Sequence, residues 1–359
     1  MKTPTLAALA ALSLAPLAEA KDLILTVARP GGLYVFDPAA RALLRECDLG
    51  ANPTPGVVAV PPGGKVAYLL VNHWQDVIGV NFETCETVFK ATQSEGDVVR
   101  RSIASMAVSA DGKHVYTVRN PVRQLSDRYE VLEPEFAVYD AAAGLDADPT
   151  ATFPAPRRST VMAADAEGKV YIGGAEVYRV DPATGDVSVA IPNRSWDRPT
   201  YSTPDVLAFW PLRNANDEFL TLYSAAVFAD EKQEEMTGMV WGYQSVDLKT
   251  GATEMKDFAP FEVIMFSGVR NPVAKNELFG VYTQLSKHDV EKGELVKRVD
   301  LPHTYYAINI ASDGGEVYVG GTNDDIGVYD TKTLERIGEM RIPGGGDMSV
   351  ATVQMVQVE

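Results

Sequence analysis

Apolar residues fall along the chain in short runs of four to six, rich in Val, Tyr and Ile and interrupted by polar turns that carry glycine. Runs of that length and composition read as β-strands, and no long stretch with helical spacing competes with them. Several hairpins are explicit. Ser109-Ala110-Asp111-Gly112-Lys113 leads into Val115-Tyr116, Ala166-Glu167-Gly168-Lys169 into Val170-Tyr171-Ile172, and Ser312-Asp313-Gly314-Gly315 into Val317-Tyr318-Val319. The glycines supply the positive φ that tight hairpin turns need.

These hairpins belong to a larger repeat of four strands, in which the third strand closes on an apolar residue followed by Asp, Asn or an equivalent. The endings are Phe36-Asp37, Val80-Asn81, Tyr139-Asp140, Val180-Asp181, Val246-Asp247, His288-Asp289 and Tyr329-Asp330. Seven four-stranded units about 49 residues apart predict an all-β chain, a seven-bladed β-propeller. A pair of β-sandwiches is the competing arrangement. A propeller must cover the seam between its first and last blades, and Ser349–Val356 is a spare strand after the seventh unit. It is expected to pair into the blade that begins near Leu23, closing the ring and removing an exposed edge.

Within a blade the strands alternate direction, so the first-to-second and third-to-fourth turns share one face, and the second-to-third and inter-blade connections share the other. Turns of the first kind are short, as in Pro62-Gly63-Gly64 and Lys249-Thr250-Gly251. The long insertions, Arg119–Glu135, Asn193–Asp205 and Ser224–Met239, are all of the second kind, with shorter segments at Asn72–Asp76 and Pro302–Tyr306. Loops held by a rigid scaffold carry function, which marks the elaborated face as the binding face. Trp74, Trp196, Tyr201, Tyr305 and Tyr306 lie in or beside its loops with His73, His303 and Arg194, the residue types that anchor interfaces. The plainer role for each aromatic is to wedge between neighbouring blades.

Composition narrows the chemistry. The 359 residues carry 49 acidic and 32 basic side chains, net −17, which argues against nucleic acid and anionic membrane partners. Two cysteines and four histidines supply no c-type haem signature, iron–sulfur set or structural zinc site, and the nucleophile-elbow, Walker, dinucleotide and zinc-hydrolase motifs are missing. Residues 1–20 read as a cleaved secretory signal: Lys2, an Ala/Leu-rich run too short to span a bilayer, then Ala18-Glu19-Ala20. The remaining 21–359 is expected to be one propeller domain, exported to an oxidising compartment. There Cys47 and Cys85 either pair as a disulfide or stay two separate buried thiols.

The stretch Asn193-Arg194-Ser195-Trp196-Asp197-Arg198-Pro199-Thr200-Tyr201-Ser202-Thr203-Pro204-Asp205-Val206-Leu207-Ala208-Phe209-Trp210 resembles the β subunit of quinohemoprotein amine dehydrogenase. Leu301-Pro302-His303-Thr304-Tyr305-Tyr306-Ala307-Ile308-Asn309-Ile310 with Ser312-Asp313-Gly314 is similar to the same family, as are Ala28-Arg29-Pro30 and Pro121-Val122-Arg123. The resemblance spans the whole mature chain. It implies a non-catalytic periplasmic subunit of a heterotrimer that oxidises primary amines to aldehyde and ammonia. The partners implied are an α subunit, a cytochrome with two haem c groups, and a small γ subunit bearing cysteine tryptophylquinone. This chain would hold no cofactor or metal, would be inactive alone, and would dock γ and wall part of the amine pocket through Trp196, Tyr201, His303, Tyr305, Tyr306 and Trp74. Two alternatives stand beside it: a stand-alone lactonase-like hydrolase, and a scaffold like the methylamine dehydrogenase heavy subunit, whose motifs are not seen here.

Overall fold

A computed structural model describes residues 20–50, 54–206, 217–348 and 352–358. The expected signal peptide therefore lies outside the described residues except for Ala20, as do Leu207 to Trp210 of the family-like stretch and Ser349 to Ala351 of the closing run.

Seven antiparallel sheets form the ring of a seven-bladed propeller. Blade one is closed by the C-terminal strand Gln354–Val358, which pairs with Lys21–Ala28 so that Leu23 faces Val356 and Ile24 faces Met355. Gly32–Asp37 and Ala42–Asp48 complete that blade. The closing strand thus starts later than the hydrophobic run suggested, and it takes the innermost place. Blades two to seven follow in chain order. Their third strands are Asp76–Asn81, Glu135–Asp140, Val177–Val180, Met236–Asp247, Gln284–Asp289 and Asp325–Asp330.

The core lies between blades, where the central strands of neighbouring blades pack their apolar side chains face to face. Blades two and three share Tyr68, Phe89, Met106 and Tyr139, and blades six and seven share Phe279, Tyr305, Ile308 and Val317. Each fully buried Val, Leu, Ile or Phe in these seams contributes about 1.5–3 kcal/mol. A disulfide between Cys47 and Cys85, Cα atoms 5.2 Å apart, ties blade one to blade two.

The recurrent Asp or Asn at the end of each third strand has one structural job. Asp37 accepts the Ala40 amide, Asn81 those of Glu83 and Thr84, Asp140 that of Ala142, Asp181 that of Ala183, Asp247 those of Lys249 and Thr250, Asp289 those of Glu291 and Lys292, and Asp330 those of Lys332 and Thr333. A short side-chain acceptor replaces the missing ladder bond and nucleates the turn on the short-loop face.

On the opposite face two insertions are strands rather than loops. In blade three His114–Gln124 runs 11 residues, and its far end is flanked by Val98–Arg101 and Tyr129–Val131. In blade five Glu218–Phe228 and Met236–Asp247 stay paired throughout, and Tyr201 bridges to Val227 along the edge. Blade three therefore carries a raised three-stranded arm and blade five a raised hairpin with the Tyr201 bridge along its edge.

Candidate functional site

The loop after blade four is fastened from below. Glu176, buried on the second-to-third turn, accepts the backbone N–H groups of Asn193, Arg194 and Ser195, the last two at 3.0 Å. Asn193 in turn accepts a hydrogen bond from Gln244 of blade five. Three amides on one carboxylate give this loop a fixed exit direction.

Beyond that anchor, Arg198 is held between two rings. Its guanidinium carbon lies 3.5 Å from the centre of Tyr201 and 4.9 Å from that of Trp196, within cation–π range. It also makes a two-point contact with Asp257, one bond of 2.8 Å, while Tyr223 donates its hydroxyl to the same carboxylate. Burial alone would raise the Asp257 carboxyl, but the bonds from Arg198 and Tyr223 hold it below the ordinary carboxylate range. Burial and the Asp257 charge push the Tyr223 hydroxyl far upward, so it serves as a donor at any physiological pH. Trp196 stands edge-on to Tyr201 at 5.9 Å and to Tyr223 at 5.7 Å. Trp196, Arg198 and Tyr201 are all half-buried.

The second candidate stretch divides into a buried and a surface part. Tyr305 is fully buried and is not a surface contact; this corrects its expected place among docking residues. Its hydroxyl donates to Asp325, which also receives Nε2 of His303 at 2.8 Å and Arg336 at 3.4 Å. Burial, then the Asp325 carboxylate, pushes the Tyr305 hydroxyl upward. Tyr305 is a pillar that fixes Asp325 and, through it, the His303 ring, which packs 4.1 Å away. The neighbour Tyr306 points the other way and stacks with Phe266 at 5.3 Å and Tyr282 at 6.0 Å, all three half-buried. Phe266 and Tyr282 were not singled out in the sequence, because each stands alone at a strand end with no pattern around it.

Trp74 sits apart. Asn72, His73 and Trp74 all take the left-handed conformation, with φ of 52°, 54° and 65°. This turn lays the indole nitrogen where a Cβ on Gly56 would come within 2.6 Å, so only glycine fits at position 56. Trp74 packs against the blade two–three seam, and among the described residues no ring contact joins it to the other aromatics.

Exposed apolar side chains add to this face: Ile103, Tyr129, Val131, Met236, Met239 and Ile264 all lie on its arms or connections. Among the described residues no three His, Cys, Asp or Glu side chains gather as metal ligands do. The geometry offers a broad, partly apolar surface with rigid aromatic anchors, and such a surface can bind a macromolecular partner.

No family model matches the chain, and no curated protein sequence matches it. Solved structures do match in fold. Hydrazine synthase of Kuenenia stuttgartiensis superposes with a TM-score of 0.53 at 12% identity, over 85% of this chain and 90% of that one. AztD of Citrobacter koseri, in its apo form, gives 0.52 at 10% identity over 95% and 99%. A protein from Lactobacillus plantarum gives 0.53 at 12% over 95% and 100%. At these identities the likeness is one of fold.

Proposed function

We propose that the chain is the non-catalytic β subunit of a periplasmic amine dehydrogenase of the quinohemoprotein type. It docks a small quinone-bearing γ subunit beside a dihaem cytochrome α subunit and walls part of the pocket for a primary amine. The observation that carries this reading is that both family-like stretches put half-buried rings on one propeller face, Trp196 and Tyr201 from the first and Tyr306 from the second. The paired Cys47 and Cys85 agree with an oxidising compartment.

Within such a complex the chemistry of amine oxidation belongs to the partner's quinone. This chain's residues bind and exclude water. Arg198 is neutralised by Asp257, so the Trp196 and Tyr201 rings present apolar surface without an uncompensated charge. A dry wall of this kind favours neutral amine and keeps water from the reacting carbon. An obligate complex of this kind buries on the order of 2,000–5,000 Å². The test is purification from the native host through a tag on this chain, followed by a visible spectrum. Haem bands that co-elute support the reading; a colourless chain eluting alone defeats it.

A further inference from the structure

Blade four is the low point of the elaborated face. The ladder between its second and third strands ends where Gly173 faces Val177. Measured from the turn Asp, the second strands of blades three and five each run about six residues further, so both arms rise roughly 20 Å above the blade-four turn. Adjacent sheets pack about 10 Å apart, which leaves room between the arms for one helix or one extended strand.

Side-chain alternation fixes what the gap is lined with. Tyr116 and Val118 of blade three pack against Met162 and Ile172 of blade four. Val122, on the same side of that strand, continues this surface upward, with Val99 and Val131 directly opposite it. Tyr129 is 73% exposed and Val131 66%, beside a depression of about 270 Å³. On the other wall Phe219 of blade five packs against Val161 and Tyr171. Tyr223 shares its side of the strand and carries Trp196. The floor is the Gly173-Gly174-Ala175 turn. The Arg158 carbonyl lies 3.3 Å from where a Gly174 Cβ would be, and the Arg194 amide donates to Ala175 at 3.2 Å.

Arg158 and Arg194 on the floor and Arg101 on the blade-three wall are exposed, and none takes part in an ion pair among the described residues. In a chain of net charge −17, three arginines outside any ion pair around one cleft are a concentration of positive charge. We propose that this cleft seats an acidic, amphipathic segment of a partner polypeptide, its carboxylates on Arg101, Arg158 and Arg194 and its apolar side on Val99, Val122 and Val131. The identification of the partner as a subunit of the complex rests on the function proposed above.

A photo-crosslinking residue at position 129, with a control at exposed Val273 on the short-loop face, tests this in the complex purified from the native host. Position 129 should capture a partner peptide in which Asp and Glu outnumber Lys and Arg, and position 273 should not. The double variant Arg158→Glu/Arg194→Glu should cut that cross-link at least tenfold while the thermal midpoint of the isolated chain stays unchanged. An unchanged yield, a neutral or basic captured peptide, or capture of a second copy of this chain overturns the proposal. Haem in the purified complex reports separately on the functional reading: haem without the position-129 cross-link sinks the cleft alone, and an acidic cross-link without haem sinks the reading alone.

Discussion

The Arg198 guanidinium carbon lies over the Tyr201 ring, 3.5 Å from its centre, while its two terminal nitrogens face the Asp257 carboxylate. One arginine thereby ties a loop ring to a half-buried acid on blade five.

Arg198→Lys keeps the charge but loses the planar two-point contact. It should cost about 1–3 kcal/mol in urea unfolding and change Trp196 fluorescence, since the planar guanidinium no longer lies over the indole. Asp257→Asn should cost a comparable amount, and the double variant should cost less than the sum, as expected for residues in contact.

Tyr305 and Tyr306 are adjacent in sequence and should part company in their variants. Tyr305→Phe leaves buried Asp325 short of a donor and should destabilise the isolated chain by about 1–3 kcal/mol. Tyr306→Ala removes a half-buried ring from the Phe266 and Tyr282 stack; it should lower partner affinity by at least tenfold, with a smaller loss of stability. Equal stability losses without an affinity change would refute the division.

His288 gives the fold a pH dependence. It is fully buried against Phe258, Nε2 faces Ser286 and Nδ1 has no partner among the described residues, so burial lowers its pKa to about 4. A histidine lowered on folding favours the unfolded state when protonated. Its contribution is therefore intact above about pH 6.5 and is lost progressively as pH falls toward 4, about 3 kcal/mol over that window. Urea unfolding at pH 7 and pH 5 should show the wild type losing about 2 kcal/mol more than His288→Leu.

The Cys47–Cys85 bond closes a loop of sequence separation 38. The double variant Cys47→Ser/Cys85→Ser should lower stability by about 2–4 kcal/mol, measured by thermal or urea unfolding. A loss below about 0.5 kcal/mol would show that the seam between blades one and two holds without it.

The ring was legible because its signals are local and repeated. Gly112, Gly168 and Gly314 take the positive φ expected of their turns, and the seven third-strand endings mark real strands. The same Asp residues did not reveal their purpose, since an acceptor for amides two or three residues on looks like any solvated charge. The arms were read as loops because their pairing is decided by distant partners: Val98–Arg101 becomes a strand through the far end of His114–Gln124. Tyr305 was read as a surface residue because nothing in Tyr305-Tyr306 tells which ring turns inward. That depends on Asp325, twenty residues away.

The most direct test of the central claim is amine-driven haem reduction in material purified through a tag on this chain. The account predicts that adding a primary amine produces the reduced-haem spectrum in the fraction containing this chain, and that stripping the chain away abolishes the response. A chain free of haem, or haem reduction that persists undiminished after its removal, would contradict it.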